Sequence, residues 1–213
     1  MSEMTHFSSL AGVPVNYARE PVARYGTRGR PHSFNCTLQF FRKLEACFDE
    51  LFGVTPLGLG DTITSAGAFV EKPGFHGLGR AFDLDAIFWP DRDFVTLRFP
   101  TDQKFYLGVE AVLRKHFGTV LNFLYNSDHH DHLHVDDGSD VGFVTSSKSR
   151  VLFVQAALTH VFAVPVGIDG VYGPETERCV QTALVRLGLR GNISTLAVWL
   201  EFLTQITREA HRV

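Results

Sequence analysis

The sequence predicts an α+β fold: a small antiparallel sheet with flanking helices, followed by a small three-helix domain. Three observations predict it. Apolar residues recur at helical spacing in separate blocks, short Thr-, Val- and His-rich segments lie between those blocks, and after about residue 148 the period is helical almost throughout.

The elements follow in order. In "SFNCTLQFFRKLEACFDELFG", residues 33–53, Leu38, Phe41, Leu44, Phe48 and Leu51 fall at helical spacing, with Gly53 read as lying just past the end. "DTITSAGAFV", residues 61–70, suits a strand running toward His76. "DFVTLRF" reads as a second strand or an extended connection, and "QKFYLGVEAVLRKHFG" as a helix stopped by Gly118. "TVLNFLYN" and "HLHVD" read as a strand pair. Small and polar residues in "GSDVGFVTSSKSR", residues 138–150, mark a boundary, which divides the chain into domains 1–145 and 146–213.

Beyond it, "RVLFVQAALTHVF" offers Val151, Val154, Leu158 and Val161 as one stripe. "GPETERCVQTALVRLGL" opens a helix with Pro174 in the first turn and Glu175 and Glu177 near its positive end. "STLAVWLEFLTQITREA" places Leu196, Leu200 and Leu203 on one line.

Composition limits the function classes. Of 213 residues, 45% are apolar and 20% charged, enough for a packed core and too little charge for disorder. The length suits one large domain and one small one. A net charge of −3 gives no general grip on nucleic acid or an anionic membrane. No apolar run reaches the ~18 residues that would span a bilayer. The opening "MSEMTHFSSLAGVPVNYARE" lacks a basic end and apolar core, so the expectation is synthesis in the cytoplasm without a signal peptide. A monomer is expected. Cys36 and Cys47 lie in a stretch that reads as helical, about 16 Å apart along the axis, so they and Cys179 are expected to be free thiols.

Chemistry concentrates in two stretches. "DHHDHLHVDD", residues 128–137, holds four histidines and four aspartates, a density that suits metal binding better than a solvated turn. In "HGLGRAFDLD", residues 76–85, His76 and Asp83 bracket Gly77 and Gly79, so a turn folds imidazole and carboxylate toward one point. A catalytic zinc takes three nitrogen or oxygen ligands and keeps a fourth position for water. His76, Asp83 and one histidine of "HLH" complete such a set. A strand sends His132 and His134 to the same face, and spacing alone does not choose between them.

"HGLGRAFD", followed about fifty residues later by "DHLH", resembles the zinc D-alanyl-D-alanine carboxypeptidase and L-alanyl-D-glutamate endopeptidase family, which includes phage endolysins. The resemblance covers about residues 30–140. It implies that His76, Asp83 and His134 are zinc ligands, that Asp131 is the general base and that His132 lines the site, with His129 and His130 at the rim. Asp131 then sits three residues before a ligand, where it can meet the attacking water without binding the metal. Two departures stand out. Gly74 replaces a serine common two residues before the first histidine, and "TSAGAF" has Ser65 but no arginine to hold a terminal carboxylate. Endopeptidase cleavage is therefore favoured over carboxypeptidase action. Arg80 reads equally as a substitute grip or a surface residue.

The last third has its own resemblance. Gln155, then Asp169, Gly170, Gly173 and Thr176 in a "DGxxGxxT" pattern, are similar to the peptidoglycan-binding domain of many wall hydrolases. Together the two resemblances imply a zinc-dependent peptidoglycan hydrolase. It would cut an amide bond in the stem or cross-link peptide and act on the cell wall after release. The alternatives are a D,D-carboxypeptidase removing terminal D-alanine, and a non-catalytic wall-binding protein whose structural zinc is closed by His132.

Overall fold

A computed structural model describes residues 3–21 and 24–212, and the fold is α+β. Strands β1 (Met4–Phe7) and β5 (Phe34–Thr37) form a separate antiparallel ribbon. The main sheet contains β2 (Ser9–Leu10), β3 (Val13–Tyr17), β4 (Arg30–Pro31), β6 (Thr62–Gly67), β7 (Ala81–Phe88), β8 (Asp93–Val95), β9 (Thr119–Leu121) and β10 (Leu133–Asp136). Its order is β2-β3-β6-β7-β10-β9, with β4 on β3 and β8 on β7. Every described pairing is antiparallel except β3 with β6.

Helix α1 (Leu38–Val54) starts where the Thr37 hydroxyl accepts a hydrogen bond from the Phe40 amide. It stops at Thr55, held in extended backbone before Pro56, so Gly53 lies inside the last turn and not beyond it. Its apolar face buries Phe40, Leu44, Cys47, Phe48, Leu51 and Phe52. The helical reading of Cys36 is corrected: it belongs to β5, one residue before the cap. All three cysteines are free, and Cys36 and Cys47 are buried.

All eight residues of β7 are buried, Asp83 and Asp85 included. It lies between β6 and β10 on the sheet path, and a strand covered on both faces carries no polar alternation to announce it. "DFVTLRF" divides into β8 and a 3-10 helix over Thr96–Thr101. The strand pair read at "TVLNFLYN" and "HLHVD" is β9 with β10, His134 opposite Leu121.

Helix α2 (Gln103–His116) is buried from Phe105 to Arg114. It packs against α1, α3 (Lys148–His160) and α5 (Leu196–Ala210). A Cβ on Gly108 would sit 2.6 Å from the Ala210 Cβ, so glycine permits the close approach of α2 and α5. Arg114, 2% exposed, bonds to Glu110 on its own helix and donates to the carbonyls of Val120 and Ser149. One apolar core runs from α1 and the sheet through α2 into the helices after residue 145.

Two expected helical stripes differ from those observed. Helix α3 is buried on all sides from Ser149 to Leu158, because α2, β9 and α4 (Pro174–Arg186) each take a part of it. In α5 the buried face is Trp199, Phe202, Leu203, Ile206 and Ala210, while Leu196 is exposed. Pro174 does occupy the first turn of α4. Gln155, 1% exposed, holds the "DGxxGxxT" turn from inside. Its Oε1 accepts from the amides of Asp169 and Gly170, and its Nε2 donates to Asp169 Oδ1, the Val171 carbonyl and Thr176 Oγ1. Among the described residues no helix is long and apolar enough to cross a membrane.

Candidate metal centre

The geometry begins at the β7–β10 ladder, where His134 pairs directly with Asp83. Residues opposite each other across antiparallel strands hold their Cβ atoms about 4.5–5.5 Å apart, close enough for the two side chains to converge. Opposite the same stretch, β6 is irregular: register shifts fall between Thr64 and Ser65 and between Ser65 and Gly67, before Gly67 pairs with Asp83. Such bulges re-aim neighbouring groups. Ser65 is spent on this irregularity, its Oγ bonded to the Gly67 amide. His76 arrives from a turn whose Gly79, at φ 64°, lies so near the Thr37 amide that a Cβ would be 3.1 Å from it.

His76, Asp83 and His134 thus form a group able to hold a metal ion, with donor atoms all within 4.8 Å of one another. His76 Nε2 is 3.1 Å from Asp83 Oδ1 and 3.2 Å from His134 Nδ1, and His134 Nδ1 is 2.8 Å from Asp83 Oδ1. A tetrahedral ion with bonds of about 2.0–2.1 Å separates its ligands by about 3.3 Å, so the set needs only a small expansion to receive one. Each imidazole has its other nitrogen occupied. His76 Nδ1 donates to the Ala68 carbonyl at 2.5 Å, and His134 Nε2 donates to Asp136 Oδ2 at 3.2 Å. These bonds fix the tautomers that leave His76 Nε2 and His134 Nδ1 as ligand atoms. The donor set therefore fits a divalent metal that accepts nitrogen and oxygen ligands.

The same contacts set the charges of the metal-free site. Burial works to raise the Asp83 carboxyl, but hydrogen bonds from His134 and His76 outweigh it and hold it well below the usual range. Burial works to lower His134, and Asp136 with Asp83 outweighs it, pushing the imidazole up to about 9.

His132 and Asp131 stand beside this set. His132 Nε2 is 3.7 Å from Asp83 Oδ1, while its Nδ1 donates to Asp131 Oδ1 at 2.8 Å. His132 is not part of the mutually close donor group. Asp131 Oδ2 takes Arg19 Nη1 at 2.5 Å. Burial tends to raise Asp131, but Arg19 and His132 prevail and its carboxyl is lowered. Arg19 also makes a two-point contact with Asp85, Nε to Oδ2 at 2.8 Å and Nη2 to Oδ1 at 2.5 Å. Asp85 is fully buried, which pushes its carboxyl up to about 6 against the pull of Arg19. Tyr25 Oη donates to the Asp131 carbonyl at 2.6 Å and lies under the Arg19 guanidinium.

A cleft of about 810 Å³ opens beside Asp131, lined by Arg19, Tyr25, Leu97, Asp128 and His130. His129 hydrogen-bonds Asn126 and packs against the rings of His132 and His134; burial and those two imidazoles lower it to about 4. His130 stacks on Phe123. Arg80 is engaged by Asp137, Nε to Oδ1 at 2.7 Å, and so clasps the His76 turn to the end of β10.

Sequence reasoning missed Arg19, Asp85 and Asp136. The two aspartates carried a signal, since each follows a proposed ligand by two residues on a strand and shares its face. Arg19 carried none, because only the folded sheet brings it to Asp131, 112 residues away. Comparison of the chain with known proteins returns no matching family model, no curated relative and no solved structure.

Proposed function

We propose that the protein is a zinc-dependent hydrolase of peptidoglycan, cutting an amide bond within the stem or cross-link peptide. The observation that carries this reading is the convergence of His76 Nε2, Asp83 Oδ1 and His134 Nδ1, with both imidazoles held from behind and a cleft opening beside Asp131. Zinc held by these three residues would acidify a water in the remaining position and polarise the amide carbonyl. No fourth protein donor joins the close group among the described residues, which favours a catalytic over a closed structural site.

The chain supplies the proton handling. His132 Nδ1 donates to Asp131, so His132 Nε2 presents a lone pair toward the ligand set with a carboxylate behind it. The Asp131–His132 pair takes the proton from the attacking water and returns it to the leaving amine. Arg19, braced by Asp85, keeps Asp131 ionised and in place. The cation lining the cleft is thus already shared by two carboxylates, which leaves it poorly suited to grip a substrate's terminal carboxylate. Endopeptidase cleavage is favoured over removal of terminal D-alanine for that reason.

Peptidoglycan as substrate rests on the two motif resemblances. Gln155 and the turn it locks would make the helices after residue 145 the wall-binding part, in a protein made in the cytoplasm and released to the wall. The test is incubation of the zinc-loaded protein with purified peptidoglycan, following new amino groups and the masses of the fragments. New amino groups inside the peptide without free D-alanine are expected. Release of D-alanine alone would identify a carboxypeptidase, and no new amino groups at all would leave only a binding protein.

A further inference from the structure

Asp131 lies outside the regular structure that fixes the three candidate metal ligands. It precedes β10, in a stretch where Ser127, Asp128 and His130 are exposed, and its own side chain is 41% exposed. No strand ladder therefore sets where Asp131 stands over the ligand set. Bonds from other parts of the chain must do so, since a segment with few buried contacts is otherwise free to open locally.

Two connections run from Asp131 to the buried strand β7, and both end on Asp85. The first uses side chains, Arg19 joining the two carboxylates. The second uses the main chain. Tyr25 Oη donates to the Asp131 carbonyl at 2.6 Å, a shorter bond than the 3.2 Å from Arg19 Nη2 to the same oxygen. Thr96 Oγ1 lies 2.8 Å from Tyr25 Oη and donates to the Asp85 carbonyl at 3.0 Å. With the Tyr25 proton committed to Asp131, Thr96 divides its own between Tyr25 Oη and the Asp85 carbonyl. Thr96 is fully buried and follows β8, whose Val95 pairs with Ala86. Its hydroxyl is thus anchored to the strand that carries Asp83.

The ring of Tyr25 has separate tasks. It packs against the cluster of Ala86, Phe88 and Val95 and lies under the Arg19 guanidinium, and a phenylalanine would serve both. The hydroxyl adds only the link to Asp131 and Thr96, reaching a carbonyl 106 residues away. We infer that Tyr25 is a positioning residue: its hydroxyl, backed by Thr96, fixes the Asp131 main chain relative to β7 and so aims the Asp131–His132 pair at the ligand set. Arg19 orients the carboxylate, and Tyr25 sets where its backbone stands. The effect on rate rests on the hydrolase reading proposed above, whereas the effect on position rests on the hydrogen bonds alone.

The test compares the full chain as wild type, Tyr25→Phe, Thr96→Val and the double variant. On soluble muropeptides, kcat should fall about 10- to 10²-fold in Tyr25→Phe, the scale of a slightly misplaced catalytic group, with KM and zinc content unchanged. Thr96→Val should cost less, and the double variant no more than Tyr25→Phe, because both hydroxyls act through one connection. Position is read without turnover, by nuclear magnetic resonance of the substrate-free protein. In Tyr25→Phe the carbonyl ¹³C signal of Asp131 should shift and the His132 Nδ1–H should exchange faster, while amide exchange in β7 and β10 stays as in wild type. Faster exchange throughout the sheet would mean a merely structural tyrosine and would overturn the inference. So would unchanged Asp131 and His132 signals, or an unchanged kcat in an active protein. A wild type without turnover would instead sink the hydrolase reading, and the two signals would still decide the positioning.

Discussion

His134 and Asp83 face each other across β10 and β7, with His134 Nδ1 2.8 Å from Asp83 Oδ1 and His134 Nε2 held by Asp136. One side chain is therefore fixed on both nitrogens by two carboxylates. This relationship makes the ligand set rigid before any ion arrives, and it sets the proton cost of filling it.

The first prediction is a proton count. Because His134 is pushed up to about 9 in the metal-free protein, it carries at pH 7 a proton that an ion must displace. Metal uptake should release about one proton, and affinity should fall roughly tenfold per pH unit below that value. Calorimetric titration with zinc in buffers of different ionisation enthalpy measures the count, and zero release would contradict the assignment of Nδ1 as ligand. Without metal the sign is opposite. The raised value contributes stability fully present below the unfolded pKa of about 6.5 and lost as pH rises through about 9.

The second concerns Asp136, which touches the imidazole but belongs outside the ligand group. Asp136→Asn keeps an acceptor for the Gly138 amide and removes the charge behind His134. Zinc affinity should weaken by about 10- to 100-fold, the usual cost of losing such a partner. A competition titration with a chromophoric chelator reads it, and unchanged affinity would show that Asp136 serves only the turn.

The third separates Arg19 from the metal. Arg19→Lys keeps a positive charge but loses the two-point contact with Asp85 and the simultaneous hold on Asp131. Zinc content should stay at wild-type level while the rate on peptidoglycan falls by about 10²-fold, as expected from a small misplacement of a catalytic group. A rate within twofold of wild type would show that Arg19 takes no part in positioning Asp131.

The fourth tests the joint between the sheet and the last three helices. Arg114→Met leaves Glu110 at 0% exposure without its cation. It also removes the Arg114 donors on the Val120 and Ser149 carbonyls, leaving Val120 with the Ser149 hydroxyl alone. Urea unfolding should show a loss of about 3–5 kcal/mol, and the double variant Glu110→Gln, Arg114→Met should lose less than the single one. A single-variant loss below about 1 kcal/mol would mean the pair is better solvated than its burial indicates.

How much of this was legible in the sequence depended on periodicity and motif spacing. The helices of "LEACFDELF" and "FYLGVEAVL" announced themselves because each had apolar residues at helical spacing, and "HLHVD" because alternation survives in β10. Strand β7 did not, since Ala81 to Phe88 is buried on both faces and loses the alternation that marks a half-exposed strand. The stripe on α3 misled for the same reason, a helix enclosed on all sides having no single apolar face. His76 and Asp83 were legible as ligand types in a turn context, whereas strand spacing left His132 and His134 tied and only the motif resemblance pointed to His134; the structure brings His76, Asp83 and His134 together. Arg19 was not, because it belongs to no pattern and its meaning comes from partners 66 and 112 residues away.

On the proposed reading, His76, Asp83 and His134 hold the metal, and Asp131 with His132 handles the proton. Zinc content measured beside the initial rate on one peptidoglycan preparation, for wild type, Asp131→Asn and His134→Ala, separates the two roles. About one zinc per chain is expected in wild type and in Asp131→Asn, whose rate should fall by about 10²- to 10⁴-fold, the usual worth of acid–base catalysis. His134→Ala should lose metal and activity together. Near-normal turnover in Asp131→Asn, or loss of its zinc to the level of His134→Ala, would contradict the division between the metal ligands and the Asp131–His132 proton-handling pair.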